Sequence, residues 1–176
     1  MKTINVGIIG FGTVGSGTAE VLRQQAENLS NKTGCRIRLK TVADIVTKDL
    51  PPEFAGVDLS RDAASLFADP EIDIVVELIG GIEPARTFIL KAIAAGKHVV
   101  TANKALIAHH GNEIFEAARR AGVAVGFEAA VAGGIPIIKT LREGLAGNRI
   151  EGLAGIINGT SNYILTQMRG AGLDFA

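Results

Sequence analysis

Ile4-Asn5-Val6-Gly7-Ile8-Ile9-Gly10-Phe11-Gly12-Thr13-Val14-Gly15 is the stretch whose reading decides the fold. A short apolar run, Thr3 to Ile9, ends in glycines spaced G-x-G-x-x-G, and a helical pattern follows at once. Each glycine answers a physical need. Gly10 permits a tight strand-to-helix turn, Gly12 lets a pyrophosphate approach the backbone, and Gly15 lets the helix pack close to the strand. The unpaired amides and positive dipole end at the helix start suit phosphate, which makes Gly10, Phe11, Gly12, Thr13, Val14 and Gly15 candidate ligand contacts. With 22 glycines in 176 residues the spacing alone arises by chance; the strand before it and the helix after it give it meaning.

Composition narrows the classes that remain. A hydrophobic content of 47 % supplies a buried core for about one domain and part of another. Lys+Arg and Asp+Glu balance at 18 each, so no overall field favours nucleic acid or a membrane surface. Cys35 is the single cysteine, which excludes an internal disulfide and fits a reducing compartment. No run approaches the ~18 apolar residues of a membrane span and no leader is evident, so the expectation is a soluble, cytoplasmic protein.

Outward from the glycine turn, strand and helix patterns alternate. A helix is expected from Val14 to about Asn28, then a polar loop at Ser30–Gly34. A second strand follows from Arg36 to Ala43, nearer a sheet edge. Thr47 to Ser60 reads as an irregular connection. Arg61 to Ala68 reads as a short helix capped by Ser60 or Asp62, and Ile72 to Ile79 as an inner strand. Pro84 to Ala95 is a helix with Phe88, Ile89, Ala92 and Ile93 on one face. A strand at Lys97–Thr101, a helix at about Asn112–Ala121 and a fifth strand at Val123–Phe127 complete the pattern. A helix from Pro136 to Gly144, a strand from Arg149 to Ile157 and a helix from Tyr163 to Met168 then follow. The fold class is α/β: a Rossmann-type doubly wound parallel sheet, followed by the first strand and helix of an incomplete α+β substrate domain. The division expected is 1–147 for the dinucleotide-binding part and 148–176 for the second.

Ligands of such sheets bind beyond the C-terminal strand ends, where four turns converge. Asp44 ends the second strand, 34 residues after Gly10; it either receives an adenosine ribose or caps the strand. Lys48 and Arg61 leave a 2′-phosphate possible, so NAD and NADP both stay open. Gly80-Gly81 and Thr101-Ala102-Asn103-Lys104 follow the two inner strands. Lys104 stands where a nicotinamide and its substrate would meet, and partial burial there would suit it to polarise or protonate a carbonyl. Glu128 is either catalytic or a hydrogen-bonded structural acid. The Asn158-Gly159-Thr160-Ser161-Asn162 loop suits a polar substrate or simply caps a helix. His98, within a strand, reads as a packed or hydrogen-bonded core residue. His109-His110 reads as a polar loop without a third ligand at metal spacing, and Cys35 as inert.

Five runs together resemble homoserine dehydrogenase. They are Val6–Gly15, Val76-Glu77-Leu78-Ile79-Gly80-Gly81, Thr101-Ala102-Asn103-Lys104-Ala105-Leu106, Phe127-Glu128-Ala129-Ala130-Val131-Ala132-Gly133-Gly134-Ile135-Pro136 and Ile157-Asn158-Gly159-Thr160-Ser161-Asn162-Tyr163-Ile164-Leu165. One departure is Ile79, where the family commonly has threonine. The resemblance implies NAD(P)-dependent interconversion of L-homoserine and L-aspartate 4-semialdehyde in threonine and methionine synthesis. It makes Lys104 the catalytic lysine and assigns Gly80, Gly81, Thr101 and Asn103 to the cofactor and Asn158, Gly159 and Thr160 to the substrate. It also implies a monovalent cation (sodium or potassium) held by the backbone carbonyls of Glu128, Val131, Gly133 and Ile135. The family extends well past Ala176 through a substrate domain that forms a homodimer. The expectation is therefore a truncated chain that binds cofactor with little activity alone. A non-catalytic dinucleotide-sensing module and another oxidoreductase of similar topology are the competing expectations.

Overall fold

The computed structural model describes residues 1–156 and 158–174. Six parallel strands form one sheet in the order β3-β2-β1-β4-β5-β6. They are β1 (Lys2–Ile9), β2 (Cys35–Ala43), β3 (Asp58–Ser60), β4 (Ile74–Glu77), β5 (His98–Thr101) and β6 (Val125–Gly126). The helices are α1 (Thr13–Gln24), α2 (Ala26–Thr33), α3 (Ala64–Ala68), α4 (Ala85–Ala94), α5 (Lys104–Ala121), α6 (Ile137–Lys139) and α7 (Gly159–Ala171).

The sequence pattern explains this order. β1 is apolar on both faces, as a central parallel strand must be. Val6 and Ile8 face a cluster with Ala19 of α1 and Phe54. Ile9 faces the opposite cluster, which holds Leu66 of α3, Ile89 of α4 and Leu106 and Ile114 of α5. Several of these side chains are wholly buried, each worth about 1.5–3 kcal/mol of transfer free energy. Gly7 stands mid-strand because a Cβ there would lie 2.7 Å from Leu66 Cδ2. From β1 the chain winds outward to β2 and β3, then returns to β4 on the other side of β1. That reversal opens a crevice at the C-terminal ends of β1 and β4.

Several expectations change. The connection 47–60 is not wholly irregular: Asp58–Ser60 pairs with Thr41–Ala43 and becomes the edge strand. The first helix breaks at Gln25, and α2 continues through the expected polar loop to Gly34, whose φ of 70° ends it. α3 starts at Ala64 rather than Arg61, with Asp62 Oδ1 accepting the Ala64 amide at 2.8 Å. α5 starts eight positions early, at Lys104, because Asn103 caps it and Leu106 anchors its first turn in the core; His109-His110 is therefore helical. β6 keeps two of the five expected residues. The helix after Pro136 is the short α6 followed by a π-helical turn at Thr140–Gly144.

The strand expected from Arg149 does not form over 149–156. That backbone has no ladder partner among the described residues, and Leu153 and Ile156 are exposed. Ile157 lies outside the described residues. α7 begins at Gly159, earlier than expected, with Asn158 as its cap. The chain divides into two compact units, Met1–Ile138 and Lys139–Ala176. No helix among the described residues is long and apolar enough to cross a membrane.

Candidate cofactor and active site

The glycine turn fits its ligand by what it lacks. Gly10 has φ +95°, and a Cβ there would meet Ile79 Cγ2 at 2.8 Å and Leu78 O at 3.0 Å. Its amide donates to Ala43 O at 2.8 Å, and the Leu78 amide donates to Ile9 O at 2.9 Å, so both neighbouring strands pin the tip of β1. A Cβ on Gly15 would lie 1.9 Å from Gly10 O, the contact that brings helix and strand together. A Cβ on Gly12 would meet nothing within 4 Å. That open backbone precedes the first amides of α1, those of Thr13, Val14 and Gly15, which a helix leaves without intrahelical acceptors.

Asp44 closes the turn from the β2 side. Its Oδ2 accepts the Phe11 amide at 2.7 Å, and its Oδ1 accepts the Val46 and Thr47 amides at 2.8 and 2.7 Å. Oδ1 thus takes two amides and Oδ2 one. Burial pushes this carboxyl up, but the amides of Thr47, Phe11 and Val46 outweigh it and hold it below the usual carboxylate range. A depressed folded-state value stabilises the fold fully above the unfolded carboxylate range of about 3.9, and that contribution disappears as pH falls through the folded value. Asp44→Asn should therefore lower stability at neutral pH, and the gap to the parent should close on acidification. Urea melts across a pH series measure this; a gap independent of pH would contradict it. Nearby, Arg61 donates from Nη1 to Ile45 O at 2.6 Å.

The two inner strands end in a polar network that sequence reasoning missed. Glu77, the last residue of β4, is wholly buried. Its Oε1 accepts the amides of Ile79 and Gly80 at 2.9 and 3.2 Å, and its Oε2 accepts Thr101 Oγ1 at 2.7 Å. Thr101 Oγ1 accepts the Asn103 amide at 3.0 Å. Asn103 Nδ2 donates to Gly81 O, and its Oδ1 accepts the Leu106 amide at 3.1 Å. Gly80 and Gly81 are both left-handed, with φ of 71° and 73°. Gly80 spends its amide on Glu77. One signal could have pointed to Glu77: it is the one acid within the otherwise apolar run Ile74–Ile79 ahead of that glycine pair.

Lys104 opens α5 directly after this network. The partial burial expected of it is absent: Lys104 is exposed and has no side-chain partner among the described residues. At the first turn of a helix its long side chain reaches solvent rather than the core. A cation at the positive end of a helix costs about 0.3–1 kcal/mol, and the first turn of α5 holds no acid to offset it. The position therefore suits a partner from outside the chain.

Elsewhere the candidates are held differently. Glu128 starts a 3-10 turn, Glu128–Ala130, and its Oε1 accepts the Ile138 amide at 2.8 Å. The Val131 amide donates to Glu128 O at 3.1 Å, and Ala132 and Gly133 follow with φ of 54° and 60°. Ile135 O accepts the Ile137 amide at 2.8 Å. Asn158 caps α7 by accepting the Ser161 amide at 2.9 Å; Gly159 and Thr160 form that helix's first turn, within the second unit. His98 Nδ1 accepts the Ala124 amide at 3.0 Å in an exposed setting rather than in the core. Among the described residues no three His, Cys, Asp or Glu side chains cluster as a metal site.

A six-stranded parallel sheet in this order, with a glycine turn and a polar second wall at the switch point, defines a dinucleotide-binding domain. A family model described as the NAD binding domain of homoserine dehydrogenase matches residues 10–128, and a second described as homoserine dehydrogenase matches 136–176. The chain belongs to the homoserine dehydrogenase family. It is 52 % identical to homoserine dehydrogenase of Neisseria gonorrhoeae over 176 residues, covering 100 % of this chain and 40 % of that protein. It is 55 % identical to the enzyme of Pseudomonas aeruginosa, covering 99 % and 40 %. A crystal structure of a homoserine dehydrogenase from Thiobacillus denitrificans superposes with a TM-score of 0.91 at 58 % identity, over 98 % of this chain and 40 % of that one. The chain thus spans about two fifths of the length of these relatives.

Proposed function

We propose that this chain supplies the cofactor-binding half of an NAD(P)-dependent homoserine dehydrogenase, which interconverts L-homoserine and L-aspartate 4-semialdehyde. The observation that carries the proposal is the open backbone at Gly12 facing a helix start, opposite the crevice wall that ends in Lys104. The amides of Thr13 and Val14 hold the pyrophosphate, and Asp44 keeps Phe11 and the turn in place beside the adenosine ribose. A solved structure of the same fold is a hyperthermophilic archaeal homoserine dehydrogenase in complex with NADPH, and both NAD and NADP are candidates for this chain.

A nicotinamide held there would supply hydride exchange with the carbon that is aldehyde in one substrate and alcohol in the other. Around it, Gly80-Gly81 and Thr101–Asn103 orient the nicotinamide end, and the Lys104 ammonium holds the substrate oxygen and stabilises its developing negative charge. The backbone carbonyls of Glu128, Val131, Gly133 and Ile135 are neutral oxygen donors suited to a monovalent cation. Asn158, Gly159 and Thr160 would contact substrate as the start of the substrate and dimerisation domain, residues 148–176.

Grafted in place of the matching part of the Pseudomonas aeruginosa relative, the chain should support homoserine-dependent reduction of NAD or NADP. Lys104→Ala in that graft should lower kcat by about 10²–10⁴ with little change in dinucleotide affinity. Unchanged turnover in Lys104→Ala would contradict the role given to Lys104.

A further inference from the structure

Glu77 occupies a position where a carboxylate is costly. It ends a central strand at 0 % exposure, where burial of a charged group is tolerated only when its lone pairs are served. Here every partner belongs to the crevice. Oε1 gathers the amides of Ile79 and Gly80, and Oε2 takes the hydroxyl of Thr101, its register partner on β5. Thr101, also at 0 % exposure, passes the contact to the Asn103 amide. The Asn103 side chain then reaches back to Gly81 O and forward to the Leu106 amide at the start of α5. The contacts form a closed circuit: the loop after β4 and the turn before Lys104 are tied to each other at both ends. An apolar residue would fill this strand position at lower desolvation cost, but it would tie neither loop.

We infer that Glu77 is a positioning residue, which through Thr101 and Asn103 sets the Gly80-Gly81 loop and the Asn103–Lys104 turn as one unit around the nicotinamide end of the cofactor. The inference rests on the cofactor reading above and adds a division of labour to it. The glycine turn holds the ADP half, and the Glu77 circuit shapes only the other half.

Thr101→Val keeps the shape of the side chain and removes the hydroxyl that links the two loops. Calorimetric titration of this variant in the 176-residue chain should show the dinucleotide Kd raised about tenfold and that of ADP unchanged within about twofold. Thr101→Ser should restore dinucleotide binding to within about twofold of the parent, since the hydroxyl returns. A purely structural network would move both ligands alike or neither; either result overturns the inference, as does a serine variant that fails to restore binding. Should Thr101→Val not fold, the parent's Gly80 and Asn103 amide signals in NMR carry the test. The dinucleotide should shift both and ADP neither; signals unmoved by the dinucleotide, or moved equally by ADP, overturn the inference. A parent chain that binds neither the dinucleotide nor ADP would remove the cofactor reading and this inference together. Binding of both without the differential would remove this inference alone.

Discussion

Gly15→Ala should cost about 3 kcal/mol or more of stability and abolish dinucleotide binding, the largest effect expected of any single methyl group in this chain. The added Cβ would lie 1.9 Å from Gly10 O and 2.9 Å from Gly10 C, so the obstacle is backbone rather than a side chain that can rotate away. Retreat of that carbonyl is blocked. Gly10 is fixed by the hydrogen bond its amide donates to Ala43 O and by a positive φ that few other residues adopt. The helix must therefore lift from the sheet, taking Ala19 out of its cluster with Val6, Ile8 and Val42. Urea melts of parent and variant measure the loss. A variant within about 0.5 kcal/mol of the parent would show that the packing at Gly15 is looser than described.

Gly12→Ala should give the opposite pairing of effects. Gly12 has φ −71° and ψ −161°, an extended conformation open to alanine, and a Cβ there meets no protein atom within 4 Å. Replacing glycine at such a site restricts the unfolded chain and stabilises by about 0.4–1 kcal/mol. The methyl group would instead occupy the space through which phosphate reaches the amides of Thr13 and Val14. Losing those charge-assisted hydrogen bonds should weaken dinucleotide binding about a hundredfold. One glycine thus serves packing and its neighbour three positions earlier serves the ligand, although the sequence motif treats them alike.

Much of this was legible in the amino-acid sequence, because its strongest signals are local. The glycine turn, the aliphatic run before Gly80 and the helix carrying Ile89, Ala92 and Ile93 each declare themselves within a dozen residues. What escaped depends on distant partners or on very short elements. β3 has three residues, too few to show a period, and exists because Thr41–Ala43 offers it a ladder. The first turns of α5 carry His109-His110-Gly111, which reads as loop. They are helical because Leu106 and Ile114 are wholly buried and Gly111 packs under Phe115, 3.3 Å from where a Cβ would stand. Arg149 to Ile156 has strand-like composition, but a strand needs a neighbour to accept its amides. Glu77 lies inside the Ile72–Ile79 run and drew no separate reading; its importance depends on Thr101, 24 residues later. Lys104 was found by its place after β5, and its exposure was not foreseen because burial is a tertiary property.

The central claim is that the crevice at the ends of β1 and β4 holds a nicotinamide dinucleotide on the open backbone of Gly12. Calorimetric titration of the 176-residue chain and its Gly12→Ala variant, with NAD and NADP in parallel, tests it most directly. Saturable one-site binding of at least one dinucleotide to the parent is expected, and its loss in a variant that melts no earlier. Absence of binding of both dinucleotides to the folded parent, or equal binding by Gly12→Ala, would contradict it.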